Sequence, residues 1–164
     1  EDYRFFYGAG VGMAGRGEAL AFATNLCEID PNVVDKYGIP VLRFDVKYTD
    51  YEIKQAKHMK ETFREMMHAM GAVITWGDDG PDNNYGLETP GKIIHEAGTV
   101  RMGNDPKASA LNKWNQAHDC KNLFVVDGGP FVSQDDKNIT WTILALSMRA
   151  SEYLVEEMKK KNIS

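Results

Sequence analysis

The sequence predicts an α+β fold in which a mixed or antiparallel sheet is packed by helices. Three observations carry this. Apolar residues recur every three or four positions over residues 51–70 and again over 140–158, as an amphipathic helix requires. Residues 39–48 alternate instead, with Leu42, Phe44, Val46 and Tyr48 on one side and Val41, Arg43, Asp45 and Lys47 on the other. Helical and strand patterns also fail to alternate regularly, which excludes a repeated βαβ plan.

Taken in order, Tyr3, Phe5, Phe6 and Tyr7 precede Gly8, Gly10, Gly12, Gly15 and Gly17, and predict a strand followed by a loop. Asp35-Lys36-Tyr37-Gly38 supplies a turn into the 39–48 strand. The first helix takes Thr49 or Asp50 as its cap, stops at Gly71, and buries a stripe of Ile53, Ala56, Met59, Phe63, Met66, Met67 and Met70. Residues 76–91 read as an irregular polar surface loop, since their glycines and acids miss the positions of a calcium loop. Asn122-Leu123-Phe124-Val125-Val126 reads as a short buried strand, closed by the turn Asp127-Gly128-Gly129-Pro130. The last helix is expected to pack through Ile143, Leu144, Leu146, Met148, Tyr153, Leu154 and Met158.

At 164 residues the chain suits one domain or a piece of a larger protein. It opens Glu1-Asp2-Tyr3 without a methionine, so the true amino terminus is expected upstream and no compartment is fixed; a soluble protein of cytoplasm or periplasm is the expectation. A formal charge of −5 argues against a nucleic-acid partner, and the Lys159-Lys160-Lys161 run fits the negative end of a helix. Cys27 and Cys120 form no Cys-x-x-Cys pattern and are expected to be buried and apolar in role. The apolar stretch over 141–148, stopped by Arg149, is too short to span a bilayer.

Gly10-Val11-Gly12-Met13-Ala14-Gly15 matches the dinucleotide-binding pattern G-x-G-x-x-G. That fingerprint needs an acid about 20 residues further on, and Glu28 and Asp30 come too early, so a loop is the simpler reading. Asn138-Ile139-Thr140 fits a glycosylation pattern, but an apolar helix begins there. The four histidines lack metal-ligand spacing. His95 differs in its company of Gly98, Thr99, Met102 and Gly103, and it pairs chemically with Asn138. An imidazole can take a proton near neutral pH, while an amide can hold an oxygen without competing for that proton.

The runs His95-x-x-Gly98-Thr99-x-x-Met102-Gly103, Asn122-Leu123-Phe124-Val125-Val126-Asp127-Gly128 and Asn138-x-Thr140-x-Thr142-Ile143-x-Ala145-Leu146 resemble, in order and spacing across residues 93–158, the carboxyl-terminal domain of the glucose-methanol-choline (GMC) oxidoreductases. Ile39-Pro40-Val41-Leu42-Arg43-Phe44 is similar to the substrate-domain strand of sugar-oxidising members. The resemblance implies that residues 1–164 form such a domain, with a substrate-facing sheet and helix over 1–94 and an active-site, flavin-facing segment over 95–164. It implies an FAD enzyme that oxidises the CH–OH group of a sugar, polyol or other alcohol by hydride transfer to flavin. His95 would be the base and Asn138 the second group on the same oxygen. Asp127 and Gly128 would lie by the ribityl-phosphate region, and the amides of Asn138, Ile139 and Thr140 by the flavin pyrimidine.

In this chain Ile139 replaces the proline common after the Asn, and Val100 stands where many members have cysteine. The amino-terminal FAD-binding domain is expected outside these residues, so the segment alone is expected to be inactive. Electrons would pass to oxygen or to a separate acceptor. The alternative is a non-catalytic binding or assembly module that kept the fold.

Overall fold

The computed structural model describes residues 2–77, 80–92 and 94–163. The chain forms two compact units, one of Glu1–Gly17 with Thr49–Leu87 and one of Glu18–Tyr48 with Glu88–Ser164.

In the first unit a short helix α1 (Asp2–Phe6) stands where the aromatic run predicted a strand. A strand needs a partner to satisfy its amides, and none is paired here. The backbone instead closes locally, the Ala9 N–H donating to Phe6 O at 3.0 Å. The following glycines form a loop with no strand–turn–helix geometry, so the G-x-G-x-x-G match is not a phosphate turn. Gly15 serves packing: a Cβ there would collide with Met59 Sδ and lie 3.2 Å from the Phe63 ring.

The main helix of that unit, numbered α2 below, spans Asp50–Ala69. Its start follows the sequence closely. Thr49 is the cap, its hydroxyl accepting from Tyr51 N–H, and the Glu52 carboxylate accepts the Thr49 N–H at 2.7 Å in a reciprocal capping box. Glu52 is buried despite its charge because this bond satisfies it. Beyond the Met70 cap, Gly71 takes a φ of 71°. Met66 and Met70 lie outside the packed face and are exposed. The polar loop beyond carries a 3-10 turn at Pro81–Gly86 with left-handed Asn84 and Tyr85. Asp78 and Asp79 lie outside the described residues.

The Thr49 cap predicts a specific loss. In a peptide of residues 47–73, Thr49→Ala should cost about 1 kcal/mol of helix stability. Far-ultraviolet circular dichroism reads this as reduced helicity; equal helicity in both peptides would remove the cap's role.

The second unit holds an antiparallel hairpin of β1 (Leu26–Val34) and β2 (Pro40–Asp45). β2 is the predicted alternating strand. β1 has no counterpart in the sequence reading, because Asp30 and Pro31 sit inside it. The structure accommodates them at a register shift between Ile29 and Val34, where Asp30 Oδ1 accepts from Asn32 and Val33 N–H. The Asp35 carboxylate accepts from Tyr37 and Ile39 N–H at 2.8 and 2.9 Å, and Gly38 has a φ of 81°, completing the predicted turn. Cys27 lies on this hairpin and is exposed, as is Cys120, whose Sγ donates to Asn122 Oδ1 at 3.0 Å. Both therefore depart from the expected burial, the first because most of its hairpin is solvent-accessible.

The last helix, α3, spans Thr140–Lys159 as expected. Its packed face runs through Ile143, Leu146, Ala150, Tyr153 and Leu154. Leu144, Met148 and Met158 were predicted to pack as well but form a second, exposed stripe with Trp141. At its end Lys159 pairs with Glu156 and Lys160 with Glu157, both at 2.9 Å. The Lys159 hydrogen bond lowers the pKa of Glu156, and the Asn162 and Lys160 hydrogen bonds lower that of Glu157. No helix of the described residues is long and apolar enough to cross a membrane.

Between hairpin and α3 the chain is held by single bridges, Met102 to Leu111, Leu111 to Ala117 and Gln116 to Phe124. The predicted 122–126 strand is thus reduced to one bridge, and Leu123 and Val126 are exposed. Leu111, 2% exposed, is the hub of this region.

Candidate functional site

Residues 98–102 run beside 128–130. The N–H groups of Gly98, Val100 and Met102 donate to the carbonyls of Gly128, Gly129 and Pro130 at 3.1, 3.1 and 3.0 Å. Two glycines make this approach possible. Gly98 has a φ of 84°, and a Cβ there would stand 3.0 Å from Phe131 O. A Cβ on Gly129 would stand 2.7 Å from Val100 Cγ2 and 2.9 Å from Asp127 Oδ1. The Asp127 carboxylate folds over its own turn, accepting Gly129 N–H at 2.7 Å.

Gly128 is the junction. The space a Cβ would occupy on it is bounded by Ile139 Cδ1 at 3.5 Å and by Glu96 O and Ala97 Cβ at 3.6 and 3.8 Å. The segment that begins with His95 and the residue that follows Asn138 therefore both pack on Gly128. His95 is half-buried with a φ of 80°, a region that few residues other than glycine adopt. Asn138 is exposed, and Ile139 is buried. Packing of Ile139 thus holds a turn that a proline ring would otherwise stiffen. No hydrogen bond joins His95 to Asn138 among the described residues.

α3 begins at an uncapped Ile139, with no side-chain cap and no acid in its first turn; its first internal bond is Ile143 N–H to Ile139 O at 2.9 Å. Thr140 is exposed. Helix amides left this way are donors for an external acceptor and stabilise negative charge.

Sequence reasoning missed the support beneath this junction. Asn115, fully buried with a φ of 61°, donates through Nδ2 to Val125 O at 3.0 Å and accepts nothing at Oδ1. It fixes the segment that leads into Asp127. Trp114 stacks on Tyr153 of α3 at 4.9 Å between centroids, and Arg149 reaches the Lys113 carbonyl. The amide-rich run Asn112-Lys113-Trp114-Asn115-Gln116 was the available signal, since it lacks any apolar period yet surrounds a tryptophan.

His118 meets Ser109 with Nε2 to Oγ at 3.1 Å. Ser109 Oγ also donates to Asp105 O at 2.7 Å, so these bonds clip the loop together. A cavity of about 250 Å³ in the first unit is lined by Lys57, Lys60, Glu61, Arg64 and Tyr85, and by none of the predicted site residues.

The chain matches the family model described as GMC oxidoreductase over residues 24–147. It is 38% identical over 138 residues to 2-methyl-1,2-propanediol dehydrogenase of Mycolicibacterium austroafricanum, covering 84% of this chain and 24% of that protein. It is 30% identical over 155 residues to the gluconate 2-dehydrogenase flavoprotein of Pantoea cypripedii, covering 94% and 25%. With the fructose dehydrogenase large subunit of Gluconobacter japonicus the identity is 28% over 160 residues, covering 98% and 28%. The chain spans about a quarter of the length of these curated relatives.

Proposed function

The chain belongs to the GMC oxidoreductase family as a carboxyl-terminal domain, and from that premise we propose that it forms the substrate side of an FAD-dependent oxidoreductase acting on the CH–OH group of a polyol, sugar or other alcohol. The observation that carries this reading is that the His95 segment and Ile139 come together at Gly128. The names of the relatives, for a diol, gluconate and fructose, support an alcohol substrate.

The donor set fits the cofactor. A helix N-terminus without a side-chain cap or an acid offers the amides of Ile139 and Thr140 to a carbonyl-rich ring edge. Asp127 and Gly128 would hold the ribityl-phosphate region. FAD, when bound, supplies the two-electron acceptor for the substrate's hydride. His95 takes the hydroxyl proton at an imidazole nitrogen, and the Asn138 amide donates to the same oxygen and fixes the orientation of its carbon. The positive end of α3 favours negative charge developing beside it.

The test uses the whole protein that carries this chain. A yellow preparation should bleach when a polyol or sugar is added without oxygen. A colourless preparation would return the chain to a binding or assembly module, and a yellow one that no alcohol bleaches would reject the substrate class.

A further inference from the structure

Glu18 and Gln134 lie far apart in sequence, yet Glu18 Oε1 accepts the Gln134 backbone N–H at 3.2 Å. Both residues are half-buried. Gln134 lies on the loop 132–138 that delivers Asn138. That loop is anchored at its two ends by the buried side chains of Phe131 and Ile139. Within it Asp135 has a φ of 64°, and among the described residues the side-chain hydrogen bonds and ion pair of Asp135, Asp136 and Lys137 are with one another. Among the described residues, the bond from Gln134 to Glu18 is the one hydrogen bond that ties residues 132–138 to another part of the unit.

We propose that Glu18 is a positioning residue for Asn138, fixing the middle of the loop so that the Asn138 amide meets the substrate oxygen. The inference rests on the reading of Asn138 given above. A carboxylate accepting a backbone N–H makes a stronger bond than a neutral acceptor does, which suits a single tie on an exposed loop. With the tie removed, the loop keeps its two apolar anchors and the fold, but loses the constraint four residues ahead of Asn138. A displacement of about 1 Å in a positioning group can cost roughly 100-fold in rate.

The experiment is a variant cycle in the whole flavin-loaded protein. Glu18→Ala should lower kcat by about 10- to 100-fold and move KM by less than about threefold. Glu18→Gln keeps an oxygen acceptor and should restore kcat to within about threefold of the parent. In an Asn138→Ala background, Glu18→Ala should change kcat by less than about threefold, because the group it positions is gone. Unchanged turnover in Glu18→Ala, equal damage in Glu18→Gln, or an undiminished effect in the Asn138→Ala background would each overturn the proposal.

Two controls separate its failures. Normal turnover in Asn138→Ala itself rejects the Asn138 role, and that of Glu18 with it; a crippled Asn138→Ala beside an unaffected Glu18→Ala rejects Glu18 alone. Hydrogen exchange needs no variant to fold: the Gln134 amide should be protected in the parent protein, and fast exchange there overturns the tie directly. In Glu18→Ala that protection should be lost while the Ile143 amide in α3 keeps its own.

Discussion

Replacing His95 by Asn in the whole protein should lower kcat by roughly 10² to 10⁴ while leaving flavin content near that of the parent. Asparagine is the informative choice because His95 sits at a φ of 80°. Asn tolerates this left-handed conformation far better than most residues, so the backbone should persist while the proposed proton acceptor is lost. His95→Gly extends the test. Glycine relieves backbone strain of about 1–3 kcal/mol, so that variant should melt no lower than the parent and be equally inactive. Loss of activity without loss of stability would locate the function in the imidazole. Activity retained in His95→Asn would show instead that the residue is needed for the shape of its loop, and the base would have to be sought elsewhere.

The same conformation marks where sequence reading reached and where it stopped. Thr49, Glu52 and Gly71 announce the ends of α2 because capping and chain reversal are local chemistry, decided within four residues. α3 was legible for a similar reason. Its period of 3.6 is internal, but the partner of each stripe is not: Ile143 and Leu144 are equally apolar, and only tertiary packing makes the first part of a covered face and leaves the second open. β1 was missed because Pro31 forbids a regular central strand, whereas the shifted register that admits it depends on β2. Among the described residues the antiparallel sheet of the sequence reading is the β1–β2 hairpin. Of the candidate site, residue types and order were legible through His95, Gly98, Asp127 and Asn138. The Gly128 junction, the left-handed His95 and the Glu18 tie involve residues distant in sequence, which no local pattern encodes.

Gly98→Ala should be the most damaging of the glycine substitutions around the junction, and Gly128→Ala the mildest. At Gly98 two costs combine. A side chain at a φ of 84° is strained by about 1–3 kcal/mol, and its Cβ would press on the Phe131 carbonyl, a backbone atom that cannot step aside without breaking the 98–102 ladder. Gly129→Ala meets Val100 Cγ2 and Asp127 Oδ1, both side-chain atoms, so part of the overlap can be relieved at the expense of the Asp127 to Gly129 bond. Gly128→Ala finds neighbours at 3.5 Å and beyond, which is ordinary contact. Thermal unfolding of the three variants of the whole protein should therefore rank 98 below 129 below 128, with Gly128→Ala within about 1 kcal/mol of the parent. If Gly98→Ala melts with the parent, the close approach of residues 98–102 to 128–130 is not present in solution. The His95 segment would then not be held against Gly128, and its convergence with the start of α3 would lose its physical basis.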